Sequence, residues 1–154
     1  MPSTGRKRST NPRSFLTDEE QRAVERAVAA AEAKTSAEVK LVIVRHCWGD
    51  LREKALRTFR KLGLDRTRRH NAVLIMIVSA NRQLAIYGDR GINRHAGEDF
   101  WFDVRDEMLE AFRARQVGEG LCRGIERIGE KLAAFFPRDE ADINEIRDDV
   151  AFDE

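Results

Sequence analysis

Four acidic residues stand where predicted strands and helices begin or end. Glu38 precedes the apolar run VKLVIV, and Asp89 follows the run that ends in IYG. Glu98 and Asp99 come just before a helical pattern of aromatic residues. Carboxylate oxygens are the ligands that Ca²⁺ and Mg²⁺ prefer in proteins, so the four residues are candidate ligands of a divalent cation.

The two later acids also have a simpler interpretation. Asp99 could cap the helix that follows, and Glu98 could interact favourably with the dipole of its first turn. Neither explanation applies to Glu38 or Asp89. We treat Asn71 and His95 as supporting residues of the site, with His95 as the proton donor if the site is catalytic.

The stretch HCWGDLR invites comparison with the loop of cysteine-dependent phosphatases. That loop needs five residues between the cysteine and the arginine, many of them small, so that backbone N–H groups can surround a phosphate. Here four residues separate Cys47 from Arg52, including bulky Trp48 and acidic Asp50. We interpret the match as coincidental and Asp50 as a helix cap.

A basic stretch from Arg57 to Asn71 suggests nucleic-acid binding as a further alternative. Such a site usually combines a strongly basic face with aromatic side chains for stacking. The loop DRTRRHN contains no Phe, Tyr or Trp, and the net charge of the whole chain is only +1. We therefore interpret the loop as a solvated basic surface and expect no nucleic-acid partner.

The length of 154 residues suits one domain with one core, and 42% hydrophobic with 36% charged residues is an ordinary composition for a water-soluble protein. The predicted domain spans residues 15–137, between a basic tail (1–14) and an acidic tail (138–154). Charge-rich ends with few apolar residues bury too little surface to offset the ordering entropy. We expect the basic tail to be disordered and the acidic tail to be mostly mobile, although Ile143, Ile146, Val150 and Phe152 could dock on the domain or on a partner.

The cysteines and the apolar runs predict a cytoplasmic protein. Cys47 and Cys122 show no pairing or metal-ligand spacing, and no apolar segment follows the basic N-terminus. The longest mainly apolar run, Ala72–Ala80, is too short to span a bilayer. The sequence does not determine the oligomeric state.

The elements that must position the candidate ligands follow from hydrophobic periodicity. Thr17 and Glu20 have the spacing of a capping box, which predicts the start of a first helix. Short β-branched or apolar runs predict three strands, and apolar stripes of helical period predict three further helices. The strands are Val39–Val44, Ala72–Val78 and Gln83–Tyr87, and the helices carry buried faces from Leu51 to Leu62, Phe100 to Phe112 and Leu121 to Phe135.

This order predicts an α/β fold with a small mixed sheet. The first two strands, joined by a helix, form a parallel, right-handed βαβ unit, and the second and third form an antiparallel hairpin. The third strand then ends where the other two begin, so Asp89 should lie at the same sheet edge as Glu38 and Asn71. We expect Gly88 and Gly91 to turn the chain there with positive φ.

With these residues the chain resembles the TPM domain family, which includes a thylakoid-lumen photosystem II repair protein and many bacterial proteins. The resemblance runs from about Phe15 to Pro137 and is closest to a short cytoplasmic branch of the family. Ala37 and Ala72 stand where glycine is usual. The similarity is carried by the ordered segments LTDEE, TSAEVKLVIV, LRTFRKLGL, RHNAVLIMIV, RQLAIYGDRGIN and EGLCRGIERIGEKLAAFFP.

The resemblance implies a three-layer α/β/α sandwich, with about four helices around the sheet and a divalent-cation site at the sheet edge. Acid phosphatase activity has been attributed to the family, and other members are similar to accessory factors of membrane-protein complexes. We therefore expect a domain that binds Ca²⁺ or Mg²⁺. We also expect it to have an accessory or adaptor role toward a protein partner in a membrane-associated complex. The alternative is a metal-dependent phosphomonoesterase.

Overall fold

The structure is a computed structural model that describes residues 8–138 and 148–153. Expectations for the remaining parts of the two tails lie outside the described residues. Within the described residues the chain forms six α-helices and four strands, with a 3₁₀ helix at Leu64–Arg66. The helices are α1 (Pro12–Phe15), α2 (Asp18–Glu32), α3 (Leu51–Lys61), α4 (Arg90–Asn93), α5 (Glu98–Arg113) and α6 (Val117–Phe135), and the strands are β1 (Glu38–Val44), β2 (Ala72–Val78), β3 (Gln83–Gly88) and β4 (Ala151–Asp153).

The four strands form one mixed sheet in the order β3-β2-β1-β4. β1 and β2 are parallel, with Glu38 opposite Ala72, and β2 and β3 are antiparallel, with Val73 opposite Gly88. β4 runs parallel to β1 on its other side. The predicted βαβ unit and hairpin are confirmed.

Helices cover both faces of this sheet. On one face Leu41 and Ile43 belong to the core that α2, α5 and α6 complete. On the other face Val42 and Val44 pack in a second core with Phe59 of α3. Every residue of β1 and β2 is buried, which explains why both strands are mostly apolar without strict alternation. The α/β sandwich architecture is confirmed.

The predicted helix boundaries rest on local hydrogen bonds. Glu20 N donates to Thr17 Oγ1 at 3.1 Å and Thr17 N donates to Glu20 Oε1 at 2.9 Å, which completes the capping box of α2. The Asp50 side chain accepts from Arg52 N at 2.8 Å and so caps α3. Gly63 follows that helix with φ of 75°, a left-handed conformation that favours glycine.

The two ends of the chain contribute more structure than the sequence analysis expected. In the basic tail, Pro12 is buried in α1, and Arg8 forms an ion pair with Glu20. In the acidic tail, Val150 is buried and the three residues after it form β4. Burial of a few apolar side chains outweighs the local charge in these described portions. Among the described helices, none has the length and apolar content needed to cross a membrane.

Candidate functional site

The beginnings of β1 and β2 and the end of β3 meet at one end of the sheet, as the sequence predicted. This end, where the three strand termini lie side by side, is what we call the sheet edge. Glu38 N donates to Asn71 O at 3.1 Å, and Asp89 N donates to Ala72 O at 3.0 Å. These bonds extend the sheet pairing to the residues that flank the strands. Glu38, Asn71 and Asp89 therefore occupy adjacent strand ends.

The Asp89 carboxylate lies between a backbone amide and a histidine ring. Its Oδ1 accepts from Arg90 N at 2.8 Å and thereby caps α4. The expectation that a helix-cap role does not apply to Asp89 is therefore wrong, because the short helix α4 begins directly after it. Its Oδ2 is buried and lies 3.4 Å from His70 Nδ1, a contact longer than the 2.7–3.2 Å usual for N–H···O hydrogen bonds. That oxygen accepts no hydrogen bond from the described residues.

His70 connects Asp89 to an arginine. Its Nε2 lies 2.7 Å from Arg90 Nη2. Because a guanidinium can only donate, Nε2 is the acceptor and the proton of the neutral ring sits on Nδ1, facing Asp89. The three side chains thus form a continuous polar chain at the sheet edge, which sequence spacing did not indicate.

The backbone of this loop is held in an unusual conformation. His70 has φ of 50°, in the left-handed region that few residues other than glycine occupy. Gly91 N donates to His70 O at 2.9 Å. A Cβ added to Gly91 would lie 2.3 Å from Arg69 O and 2.5 Å from His70 O, so only glycine permits this approach.

The expectation of positive φ at Gly88 and Gly91 is wrong. Among the described glycines, only Gly49 and Gly63 have positive φ. The left-handed residue of the site is His70, and the glycine at position 91 is needed for space. The sequence pattern could not distinguish these two roles of glycine, because the carbonyls that exclude a side chain belong to a loop about twenty residues earlier in the sequence.

Asn71 contributes a second buried oxygen without a donor. Its side chain is fixed because Nδ2 donates to Ser36 O at 3.2 Å, and its backbone N donates to Thr67 Oγ1 at 3.2 Å. Its Oδ1 is buried and has no hydrogen-bond partner in the described part of the chain. A buried acceptor that lacks a donor costs about 1–3 kcal/mol, so Asn71 Oδ1 and Asp89 Oδ2 both favour a bound electropositive group.

Glu38 is buried beside another carboxyl group, that of Glu32 at the end of α2. Glu32 Oε2 accepts from Val39 N at 2.7 Å. Burial, a hydrogen bond with the Asp148 carboxyl group and the neighbouring Glu38 together raise the pKa of Glu32 to about 11. Glu32 therefore retains a proton at neutral pH.

Sequence reasoning missed Glu32 and Asp148. The available signal for Glu32 was its position four residues after Val28, on the buried stripe of α2. No comparable signal exists for Asp148, because it reaches the cluster only through the pairing of the C-terminal segment with β1.

The other predicted site residues make their contacts elsewhere. Glu98 is 70% exposed and its Oε1 lies 3.6 Å from Arg52 Nη2, and Asp99 is also exposed in the first turn of α5. Gly97, not Asp99, occupies the cap position of that helix. The His95 ring stacks on Phe135 with centroids 4.9 Å apart. In the described ranges, no three His, Cys, Asp or Glu side chains are arranged to hold a metal ion.

The rim of the sheet edge also carries positive charge. Arg69 Nη1 donates to Ser36 Oγ at 3.2 Å, and Arg90 contacts His70. In contrast, Cys47 follows the opposite end of β1, where its Sγ donates to Gly49 O at 3.7 Å. The cysteine loop and this edge are therefore separate features of the molecule.

Comparison with known proteins yields one family and several similar structures. The family model described as the TPM domain matches residues 9–131. The NMR structure of the BA42 protein from the psychrophilic bacterium Bizionia argentinensis shares 32% identity, with a TM-score of 0.85, 94% of this chain covered and 100% of that one. No curated protein matches the sequence.

Two more distant structures share the fold. The N-terminal domain of a P. gingivalis protein is 18% identical over 79% of this chain and 78% of that one, with a TM-score of 0.64. The N-terminal domain of the cg2496 protein of Corynebacterium glutamicum is 12% identical over 86% of this chain and 84% of that one, with a TM-score of 0.62. On the evidence of the family model and of BA42, the chain belongs to the TPM domain family.

Proposed function

We propose that the sheet edge of this TPM domain binds a divalent cation, Ca²⁺ or Mg²⁺, through Asp89 and Asn71, with Glu38 adding negative charge from β1. The observation that carries the proposal is the pair of buried oxygens without donors, Asp89 Oδ2 and Asn71 Oδ1. A cation would supply both oxygens with an electropositive partner. Oxygen from carboxylate and amide groups is the donor type that these ions take.

The donor set fits a cation that keeps part of its water shell. Mg²⁺ is usually held by one or two carboxylates and several waters, so a site does not require three converging acids. A site with few protein ligands is compatible with the described residues, among which no three His, Cys, Asp or Glu side chains are arranged to hold a metal ion. The proposal leaves out Glu98 and Asp99 as ligands, since both are exposed and Glu98 is paired with Arg52.

We further propose that the domain acts as an accessory or adaptor domain toward a protein partner in a membrane-associated complex. Support comes from Trp48, which is 82% exposed and stacks on His46 with centroids 4.9 Å apart. Exposed tryptophans are frequent anchors of protein interfaces because they bury a large area with few rotatable bonds. Trp48 follows the end of β1 opposite the proposed cation site, so the two could be occupied together.

The cation proposal is tested by isothermal titration calorimetry and thermal unfolding with CaCl₂ and MgCl₂. We expect saturable binding, and a gain of about 2.7 kcal/mol in unfolding free energy at a hundred times the dissociation constant. Asp89→Asn should weaken binding by about tenfold or more, equivalent to about 1.4 kcal/mol. Without the cation, that variant should be as stable as the wild type or more so, because it removes a carboxylate whose buried oxygen has no donor.

Glu98→Gln is the matched control, because it removes an acid that was predicted from the sequence but lies exposed. Binding should be unchanged in that variant. If Glu98→Gln weakens binding and Asp89→Asn does not, the site lies at the start of α5 and not at the sheet edge. If the wild type binds neither ion at about millimolar concentration, the range of weak extracellular calcium sites, the proposal fails.

The row of contacting side chains Asp89, His70 and Arg90 favours a second candidate function, a metal-dependent phosphomonoesterase. A bound cation would polarise a phosphoryl oxygen or activate water. Arg69 and Arg90 could bind phosphate oxygens through charge-assisted hydrogen bonds. If Arg90 turned from His70 Nε2 to a phosphate oxygen, that nitrogen would be free to take up and donate a proton. His70 then replaces His95 as the candidate acid–base residue, because His95 stacks on Phe135.

Hydrolysis of a generic phosphomonoester tests this second function. EDTA, Asp89→Ala and His70→Gln should each abolish turnover, whereas His95→Gln and Cys47→Ser should leave it nearly unchanged. Turnover that survives both Asp89→Ala and His70→Gln would assign the activity to another site or to a contaminant. A large loss in Cys47→Ser would instead support a cysteine nucleophile.

A further inference from the structure

The two helical layers of the sandwich carry opposite charge. On one face of the sheet, α2, α5 and α6 hold fourteen acidic side chains, one of them the protonated Glu32, and only seven basic ones. On the other face, α3 holds five basic side chains and one acidic one. The segment that continues α3, residues 62–71, adds three arginines and one aspartate. The net charge of +1 for the whole chain therefore conceals a basic layer on one side of the molecule.

Five cations of this layer have no counter-ion in the described part of the chain, where their side chains form no ion pair, hydrogen bond or ring contact. We call them the basic face, and they are Lys54, Arg57, Arg60, Arg66 and Arg68. The three on α3 are spaced three residues apart, so they lie along one side of the helix. The other two are exposed in the segment that follows.

Acidic groups from other elements reach α3 at its two ends. Arg52 Nη2 lies 3.6 Å from Glu98 Oε1, and Lys61 Nζ donates to Asp153 Oδ1 at 3.3 Å. Between these ends, Glu53 is the single acidic side chain of the helix. Positive charges gathered on one surface without counter-ions repel one another, and an external polyanion would relieve that repulsion.

We propose that the basic face binds the surface of a membrane that contains anionic lipids. Head-group phosphates attract Lys and Arg side chains, and each cation near the surface strengthens attachment by roughly fivefold. The domain lies peripherally on the membrane, with the outer side of α3 against the head groups. The inference goes beyond the proposed accessory role, because it assigns direct lipid contact to side chains that neither the cation site nor the Trp48 loop supplies.

The composition of the face favours lipid over other polyanions. Proteins that bind single-stranded nucleic acid combine basic charge with aromatic side chains on which bases stack. Phe59 is the aromatic residue within residues 51–71, and it is buried in the second core. A protein interface usually has an apolar or aromatic centre, whereas the exposed side chains of α3 are all charged. A lipid surface requires neither feature, because it presents phosphate charge over a continuous plane.

Flotation of the full chain with lipid vesicles tests the proposal. EDTA is present throughout, so that the result does not depend on the proposed cation site. The chain should float with vesicles of phosphatidylcholine and phosphatidylglycerol, but not with vesicles of phosphatidylcholine alone. Because the attraction is electrostatic, about 1 M NaCl should release the protein, since the Debye length is then about 3 Å. Arg57→Gln combined with Arg60→Gln should weaken binding about 25-fold, by roughly fivefold for each lost charge.

Arg113→Gln combined with Arg123→Gln is the matched control. These arginines are 71% and 69% exposed and lie on α5 and α6, in the acidic layer. The double substitution changes the net charge of the chain by the same amount as the substitution on α3. Its binding should be nearly that of the wild type. Circular dichroism checks that both double variants are folded.

The proposal is overturned if the wild type does not float with the anionic vesicles at low salt. It is also overturned if the two double variants lose binding equally, because the overall charge and not the basic face would then be responsible. Fluorescence anisotropy with labelled duplex DNA examines the other polyanion. DNA binding that depends on Arg57 and Arg60, without vesicle binding, would assign the face to nucleic acid and overturn the lipid proposal.

Discussion

At the scale of single residues, the largest change from ordinary chemistry occurs at Glu32. Its carboxyl group is removed from water and lies beside the carboxyl groups of Asp148 and Glu38, so its pKa rises from an ordinary value of 4.5 to about 11. A protonated carboxyl is stable there because the neutral form has the smaller desolvation cost. The group therefore links folding stability to pH.

The direction of that linkage is opposite to the usual one for an acid. Below pH 4.5 Glu32 is protonated in both states, and its contribution to stability is complete. As the pH rises from 4.5 toward 11, the unfolded chain loses the proton while the folded chain retains it, so unfolding becomes easier by at most about 1.4 kcal/mol per pH unit. Glu32→Gln should remove this slope. Urea unfolding at pH 5 and pH 8 should show that the variant gains stability relative to the wild type as the pH increases.

An equal stability difference between Glu32→Gln and the wild type at both pH values would contradict the raised pKa. Asp50→Asn is a suitable comparison. Asp50 is an exposed helix cap, and asparagine caps helices nearly as well as aspartate, so the substitution should not change the slope.

At the scale of elements, the sheet edge depends on the close approach of α4 to the loop before β2. Gly91 permits this approach because its Cα lies against the carbonyls of Arg69 and His70. The approach also holds His70 next to Asp89. The four-residue helix α4 is thus positioned by this backbone contact together with one apolar side chain, Ile92, which is buried in the core.

Gly91→Ala should therefore destabilise the protein. The added Cβ would lie 2.3 Å from Arg69 O, and overpacking of this kind typically costs about 1–3 kcal/mol. Differential scanning fluorimetry should show a lower melting temperature, by about 2–4 °C for each kcal/mol. Gly97→Ala is the matched control, since nothing lies within 4 Å of its added Cβ and its φ is −71°. Equal melting temperatures for the two variants would show that the loop yields without cost.

At the scale of the whole molecule, three separate features surround β1. The candidate cation site lies where β1 begins, exposed Trp48 follows its end, and β4 covers its outer side. A strand of seven residues spans about 23 Å, so the two ends of β1 can serve different partners. This separation agrees with the proposed accessory role, because a cation bound at one end would not compete with a protein bound at the other.

The sequence by itself determined the local elements and the family. The capping box of Thr17 and Glu20, the cap at Asp50 and the apolar run of β2 are recognisable because each depends on residues a few positions apart. The order of these elements then implied the parallel and antiparallel pairings, and with them the shared edge of Glu38 and Asp89. The ordered motifs indicated the TPM domain family, which the family model and BA42 confirm.

Only the tertiary structure decided which polar groups meet. Glu32 and Asp148 are more than a hundred positions apart in the sequence, and β4 forms because Val150 finds an apolar pocket that composition does not reveal. His70 meets Asp89 because a carbonyl contact with Gly91 fixes the loop. The physical reason is the same in each case. Hydrogen bonds of caps and turns act within a few residues, whereas desolvation and close packing depend on neighbours that only the folded chain brings together.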